Sequence, residues 1–172
     1  MRYTGRIGVG FLLCCLGCAP AANPVSNEVE IAPTGVSKLQ ATLGRNTFHI
    51  AVTTAQLKSS DAQFPVETSF KNEVSVVARL TIEFSDGTPV YVQRSTFSDL
   101  YNARKASVAF ENEKQGLYVL TIDGGDGADR AERYQARLYF KGDKVHRRLL
   151  YYSTFGKSSA EETTYHMGET LN

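Results

Sequence analysis

Glu73-Val74-Ser75-Val76-Val77-Ala78-Arg79-Leu80-Thr81-Ile82-Glu83-Phe84 is the stretch that decides the fold class. Val74, Val76, Ala78, Leu80, Ile82 and Phe84 fall on one side of an extended chain, and Ser75, Val77, Arg79, Thr81 and Glu83 on the other. Successive side chains of a strand point to opposite faces, so this alternation predicts a strand with one buried face; a helix would repeat its apolar positions every three or four residues. Asp86-Gly87 follows at once. Both residues tolerate positive φ, which marks a hairpin turn, and Val90-Tyr91-Val92-Gln93 supplies the returning strand.

The same period recurs on either side. Thr47 to Thr53 places Phe48, Ile50 and Val52 on one face, and Leu117 to Ile122 does the same with Tyr118, Leu120 and Ile122. Glu132 to Phe140 alternates Tyr134, Ala136, Leu138 and Phe140 against Arg133, Gln135, Arg137 and Tyr139. Gly142-Asp143 turns that strand into Lys144 to Tyr152, where the alternation is imperfect, and shorter candidates lie at Ser107 to Phe110 and Thr163 to His166. Phe97 to Lys105 reads as a helical turn capped by Ser98 or Asp99. The expectation is an all-β, antiparallel β-sandwich of immunoglobulin-like dimensions with about seven to eight strands, a small β-barrel being its rival.

The chain has 172 residues, 42% hydrophobic and 22% charged, with 19 Lys+Arg against 18 Asp+Glu. That balance leaves no electrostatic footprint for a polyanion and speaks against nucleic-acid binding. All three cysteines lie at positions 14, 15 and 18, so nothing after Cys18 can build a disulfide framework.

Arg2 and Arg6 form a basic start, followed by the uncharged run Ile7 to Gly17. Its length suits the apolar core of an export signal and is too short for a membrane-spanning helix, which needs about 20 residues. Cys15-Leu16-Gly17-Cys18 resembles the lipobox of bacterial lipoproteins, with Cys15 standing where that family usually has an aliphatic residue. The resemblance covers residues 1–18 alone. It implies cleavage between Gly17 and Cys18, a lipid on the Cys18 thiol, and a membrane as partner. Ala19 rather than Asp after Cys18 points, within that family, to the outer membrane facing the periplasm; the alternative is a secreted or soluble periplasmic protein. Cleavage would remove Arg2 and Arg6 and leave 17 basic against 18 acidic groups, a net charge of −1. Residues 1–17 are thus read as signal, 18–37, with Pro20, Pro24 and Pro33, as a flexible tether, and 38–172 as one β-sandwich domain.

Two clusters stand out as candidate sites. Asp123-Gly124-Gly125-Asp126-Gly127-Ala128-Asp129 spaces three carboxylates by small residues. Such a stretch either wraps a hard cation or serves as a loop whose Gly and Asp supply turn geometry, and the second reading is favoured. Arg130, Arg133 and Arg137 follow, with His146, Arg147 and Arg148 across the expected hairpin. A guanidinium cluster grips carboxylate or phosphate through paired N–H groups; a solvated sheet face is the bland alternative. The histidines at 49, 146 and 166 have no zinc-site spacing, and no cofactor motif occurs: the Gly-Lys-Ser at 156–158 lacks the upstream Gly of a phosphate-binding loop, since position 151 is Tyr. The expected function is a non-catalytic binding or structural module of the cell envelope with a protein or glycan partner. The alternatives are a periplasmic inhibitor or immunity-type protein, and a hydrolase using carboxylates among Glu67, Glu73, Asp99 and Asp123.

Overall fold

The computed structural model describes residues 27–57, 74–125, 133–154 and 157–165. They form ten strands: β1 (Glu28–Glu30), β2 (Gly35–Leu43), β3 (Asn46–Leu57), β4 (Val74–Phe84), β5 (Pro89–Val90), β6 (Lys105–Asn112), β7 (Leu117–Gly125), β8 (Arg133–Lys141), β9 (Lys144–Thr154) and β10 (Lys157–Thr164). One sheet has the order β1-β6-β7-β8-β9-β10 and the other β2-β3-β4-β5, with every strand pair antiparallel. The fold is an all-β sandwich of two sheets, and the closed barrel is set aside.

The core is built from the alternating faces. Phe48, Ile50, Val52, Leu80 and Ile82 of the smaller sheet meet Val108, Leu120, Ile122, Leu138, Phe140 and Leu150 of the larger one. Each such side chain, fully buried, contributes about 1.5–3 kcal/mol relative to exposure. No helix among the described residues is long and apolar enough to cross a membrane.

Of three register shifts between paired strands, two change which core residues face inward. Thr53 pairs with Arg79 but Thr54 pairs with Val77, so Ala78 is an extra residue in β4. An extra residue reverses the side-chain alternation beyond it. Leu80 and Ile82 therefore face the core as the alternation predicts, but before the bulge the inward residues are Val77 and Ser75, with Val74 and Val76 on the opposite face. In β9, Tyr139 pairs with Arg147 and Phe140 with Val145, leaving His146 extra. That is why Val145 and Leu150, of opposite sequence parity, both reach the core.

Among the described residues, four short connections gather at one end. Gly44-Arg45 joins β2 to β3, residues 85–88 join β4 to β5, 113–116 join β6 to β7, and Gly142-Asp143 joins β8 to β9. Gly44 has φ 61°, as the first position of a two-residue hairpin turn requires. Rings of Phe48, Phe84, Phe110, Tyr118 and Phe140 fill this end at centroid distances of 4.7–5.6 Å, and Asn46 Nδ2 donates to the Tyr118 hydroxyl across the two sheets.

The opposite end is where the chain crosses between sheets. Residues 31–34 pass from β1 to β2, held by inward hydroxyls: Thr54 Oγ1 donates to the Ala32 carbonyl at 2.7 Å, Ser37 Oγ accepts from Ala32 N at 2.9 Å, and Ser75 Oγ donates to the Pro33 carbonyl. A second crossover, residues 91–104, climbs the full height of the sandwich, starting where Tyr91 N donates to the Asp143 carbonyl at 2.6 Å. Its short helical turn lies at Arg94–Thr96, a few residues before the expected position at Phe97 to Lys105, because Lys105 already belongs to β6. The expected tether over 18–37 is likewise too long. Glu28–Glu30 pair with β6 and Gly35 onward with β3, so the described part of that stretch is built into the sheets.

Candidate functional site

At the crossover end the larger sheet offers an open cleft of about 530 Å³, where the tops of β7, β8 and β9 meet the end of the second crossover. Arg104, Asp123, Arg133, Gln135, Tyr151 and Tyr152 are among its lining residues. Their grouping follows from register: Asp123 pairs with Gln135, Gln135 with Tyr151, and Arg133 with Ser153, so residues far apart in sequence share neighbouring positions.

On the outer face these side chains are tied into a ladder. Gln135 Nε2 donates to Asp123 Oδ1 at 2.9 Å, and Arg137 Nε donates to Gln135 Oε1 at 2.8 Å. The Arg137 guanidinium stacks over the Tyr151 ring, 5.1 Å from its centroid, an attraction of about 0.5–1 kcal/mol at a site this open. Arg137 is thus a brace beside the cleft. Arg104 and Arg133 are exposed, and among the described residues neither forms an ion pair. Two guanidinium groups in one cleft, with no ion pair among the described residues, suit a ligand bearing a carboxylate or phosphate.

The inner wall of the same end is polar and buried. Tyr134 lies flat across Gly124, leaving no room there: a Cβ on Gly124 would sit 2.3 Å from the Tyr134 hydroxyl oxygen. That hydroxyl is buried and has no hydrogen-bond partner among the described residues. Burial, reinforced by the nearby Tyr101 and the Asp99 carboxylate, pushes the Tyr134 phenol well above the usual tyrosine range, against the opposing charge of Arg148. Tyr152, whose hydroxyl donates to Glu161 Oε2 at 3.3 Å, is pushed up to about 12 by burial first and by the Glu161 and Asp99 carboxylates next.

Arg148 completes this wall. It is 7% exposed, pairs with Asp99 through a 2.7 Å contact from Nη2 to Oδ2, and reaches the Ser95 carbonyl with Nη1 at 3.4 Å. A buried guanidinium without a partner is costly, so this pair fixes the second crossover onto β9.

The residues singled out from sequence are partly reunited. Asp123 and Arg133 share the cleft, Arg137 braces it, and Arg147 lies on the same outer face over the Tyr139 ring, 4.2 Å from its centroid. Arg148 turns to the opposite face, into the interior. Asp123 belongs to β7 rather than to a loop, and its carboxylate is an acceptor for Gln135. Gly17, Cys18, Glu67, Glu73, Asp126, Asp129 and Arg130 lie outside the described residues. Among the described residues no three His, Cys, Asp or Glu side chains converge for a metal ion. Arg104 was not foreseen, since it sits in a crossover with no periodicity; Gln135 and Tyr151 carried only the signal of their outward parity.

Searches against family models, curated proteins and solved structures find no match to this chain.

Proposed function

We propose that this chain is a lipid-anchored, non-catalytic binding module of the cell envelope, held at the membrane by Cys18 and facing the periplasm, with the crossover-end cleft as its ligand site. The ligand is a carboxylate- or phosphate-bearing group of an envelope glycan or protein. The observation that supports this reading best is that Arg104 and Arg133, which form no ion pair among the described residues, share one cleft with Tyr151 and Gln135.

The revised start of the domain supports a close attachment. Asn27 already accepts a hydrogen bond from Val108 N at 2.9 Å. Between Cys18 and Asn27 lie residues 19–26, a stretch that reaches at most about 30 Å even when extended. The domain then stays near the bilayer surface.

The site is tested by titrating the chain with inorganic phosphate and with acetate, followed by calorimetry. Arg133→Ala and Arg104→Ala should each weaken binding while leaving melting within about 0.5 kcal/mol of the parent, as exposed substitutions do. Equal binding by both variants would remove the cleft from the proposal. The anchor is tested separately by metabolic labelling with a fatty acid: Cys18→Ala should lose the label, and equal labelling of both proteins would place the anchor elsewhere.

A further inference from the structure

The four sheet edges are not alike. β1 is three residues long with Glu28 and Glu30 at its ends, β5 is two residues long and begins with Pro89, and β10 carries the exposed pair Glu161 and Glu162. Short length, proline and charge are the usual ways by which a free edge is kept from pairing with another chain. β2 is neither short nor interrupted by proline, and Lys38 is its one charge. It runs nine residues, Gly35-Val36-Ser37-Lys38-Leu39-Gln40-Ala41-Thr42-Leu43, with an unbroken register to β3. Among the described residues no strand lies along its other side.

Which backbone groups face that side follows from the turn. Leu43 and Asn46 close the two-residue turn at Gly44-Arg45, so they are a hydrogen-bonded pair. Hydrogen-bonded pairs recur every second residue, which assigns Ala41, Leu39 and Ser37 to β3 as well. The N–H and C=O groups of Val36, Lys38, Gln40 and Thr42 therefore point away from the sheet.

We infer that β2 is a homotypic pairing edge, and that its occupant is the β2 strand of a second copy of this chain, antiparallel and centred on Leu39. In that register Val36 meets Thr42 of the second copy and Lys38 meets Gln40 of the second copy, so every outward group finds an outward group. The single charge, Lys38, faces a neutral amide and never its own symmetry mate. Val36, which is 56% exposed on the outer face, gains a neighbour. The arrangement is isologous and closes at two copies, joining the smaller sheets into one continuous sheet. An edge-to-edge strand pair is small beside the about 800 Å² per partner of stable complexes, so the dimer is weak and grows with concentration. The inference is independent of the anchor and of the cleft.

Sedimentation equilibrium of the full chain in density-matched detergent, over a rising concentration series, tests it. The parent should move from monomer toward dimer. Gln40→Glu places a carboxylate opposite Lys38 twice by symmetry and should tighten the dimer several-fold, whereas Gln40→Lys sets like charges together and should weaken it by a similar factor. Gln40→Pro removes an outward N–H that β3 does not use, and should abolish the dimer. Because Gln40 is exposed, the Glu and Lys variants keep the parent's melting temperature, and they decide the matter if the proline variant unfolds. A chain that stays monomeric throughout, or Glu and Lys variants that associate alike, overturns the inference; so does a monomer that takes up a foreign strand at β2.

Discussion

The two ends of the sandwich are built on opposite terms. The turn end is closed by short hairpins and packed with the rings of Phe48, Phe84, Phe110, Tyr118 and Phe140. Among the described residues the crossover end carries a cleft and gathers Arg104, Arg133, Arg148, Asp99, Asp123, Tyr134 and Tyr152. Apolar packing at one end supplies stability without directional chemistry. The other end keeps buried polar atoms of Tyr134 and Arg148 without partners among the described residues, where buried polar atoms are as a rule paired. On the proposed function, the turn end holds the fold and the crossover end carries recognition.

Substitutions at the two ends should separate these roles. The largest loss is expected for Phe48→Ala: the ring is fully buried and touches Phe84, Tyr118 and Phe140, so its removal should cost about 3–5 kcal/mol in denaturant unfolding. Next is Asp99→Ala, which strands the Arg148 guanidinium in the interior. Asp99 is half exposed, so the loss should be about 2 kcal/mol, smaller than for a fully buried pair. Arg148→Met, which removes the charge and keeps the packing, should cost less than Asp99→Ala; the reverse order would mean that the pair does not fix the crossover.

Gly124→Ala should cost about 1–2 kcal/mol, because the new Cβ meets the Tyr134 hydroxyl and the ring has to shift. A melting temperature equal to the parent's would show that the Tyr134 ring is not held against Gly124.

The smallest effect is one of pH. Tyr152 and Tyr134 both titrate higher in the folded chain than in the unfolded one, where a phenol has its ordinary value near 10. Above that value the unfolded chain releases protons that the folded chain retains, so stability is complete below about pH 10 and falls as pH rises toward 12. Tyr152→Phe should flatten this alkaline decline in urea midpoints measured at pH 9, 10 and 11. An unchanged slope would remove Tyr152 from the account.

Much of this fold is legible in the sequence, and the misread parts have physical causes. Period two located the main strands because a half-buried strand leaves little freedom in which residues are apolar, as at Phe48, Ile50 and Val52. The bulges at Ala78 and His146 left no mark, since each adds one residue whose type is unremarkable, yet each reverses the facing of everything beyond it. β1 went unseen because three residues are too few to show a period, and Pro33 next to it reads as linker. At the site, Asp123 and Arg133 were visible as unusual chemistry. Arg104 was not, because its place in the cleft comes from a crossover that only tertiary structure specifies. Arg148 looked like one more surface cation until its partner, Asp99, was placed against it from the second crossover.

Hydrogen exchange with and without saturating inorganic phosphate tests the division between the two ends most directly. The division predicts slower exchange of the backbone at 102–105, 122–125, 133–135 and 151–153, and no change at 43–48, 84–88 and 110–118. Protection spread evenly over both ends, or confined to the turn end, would contradict it.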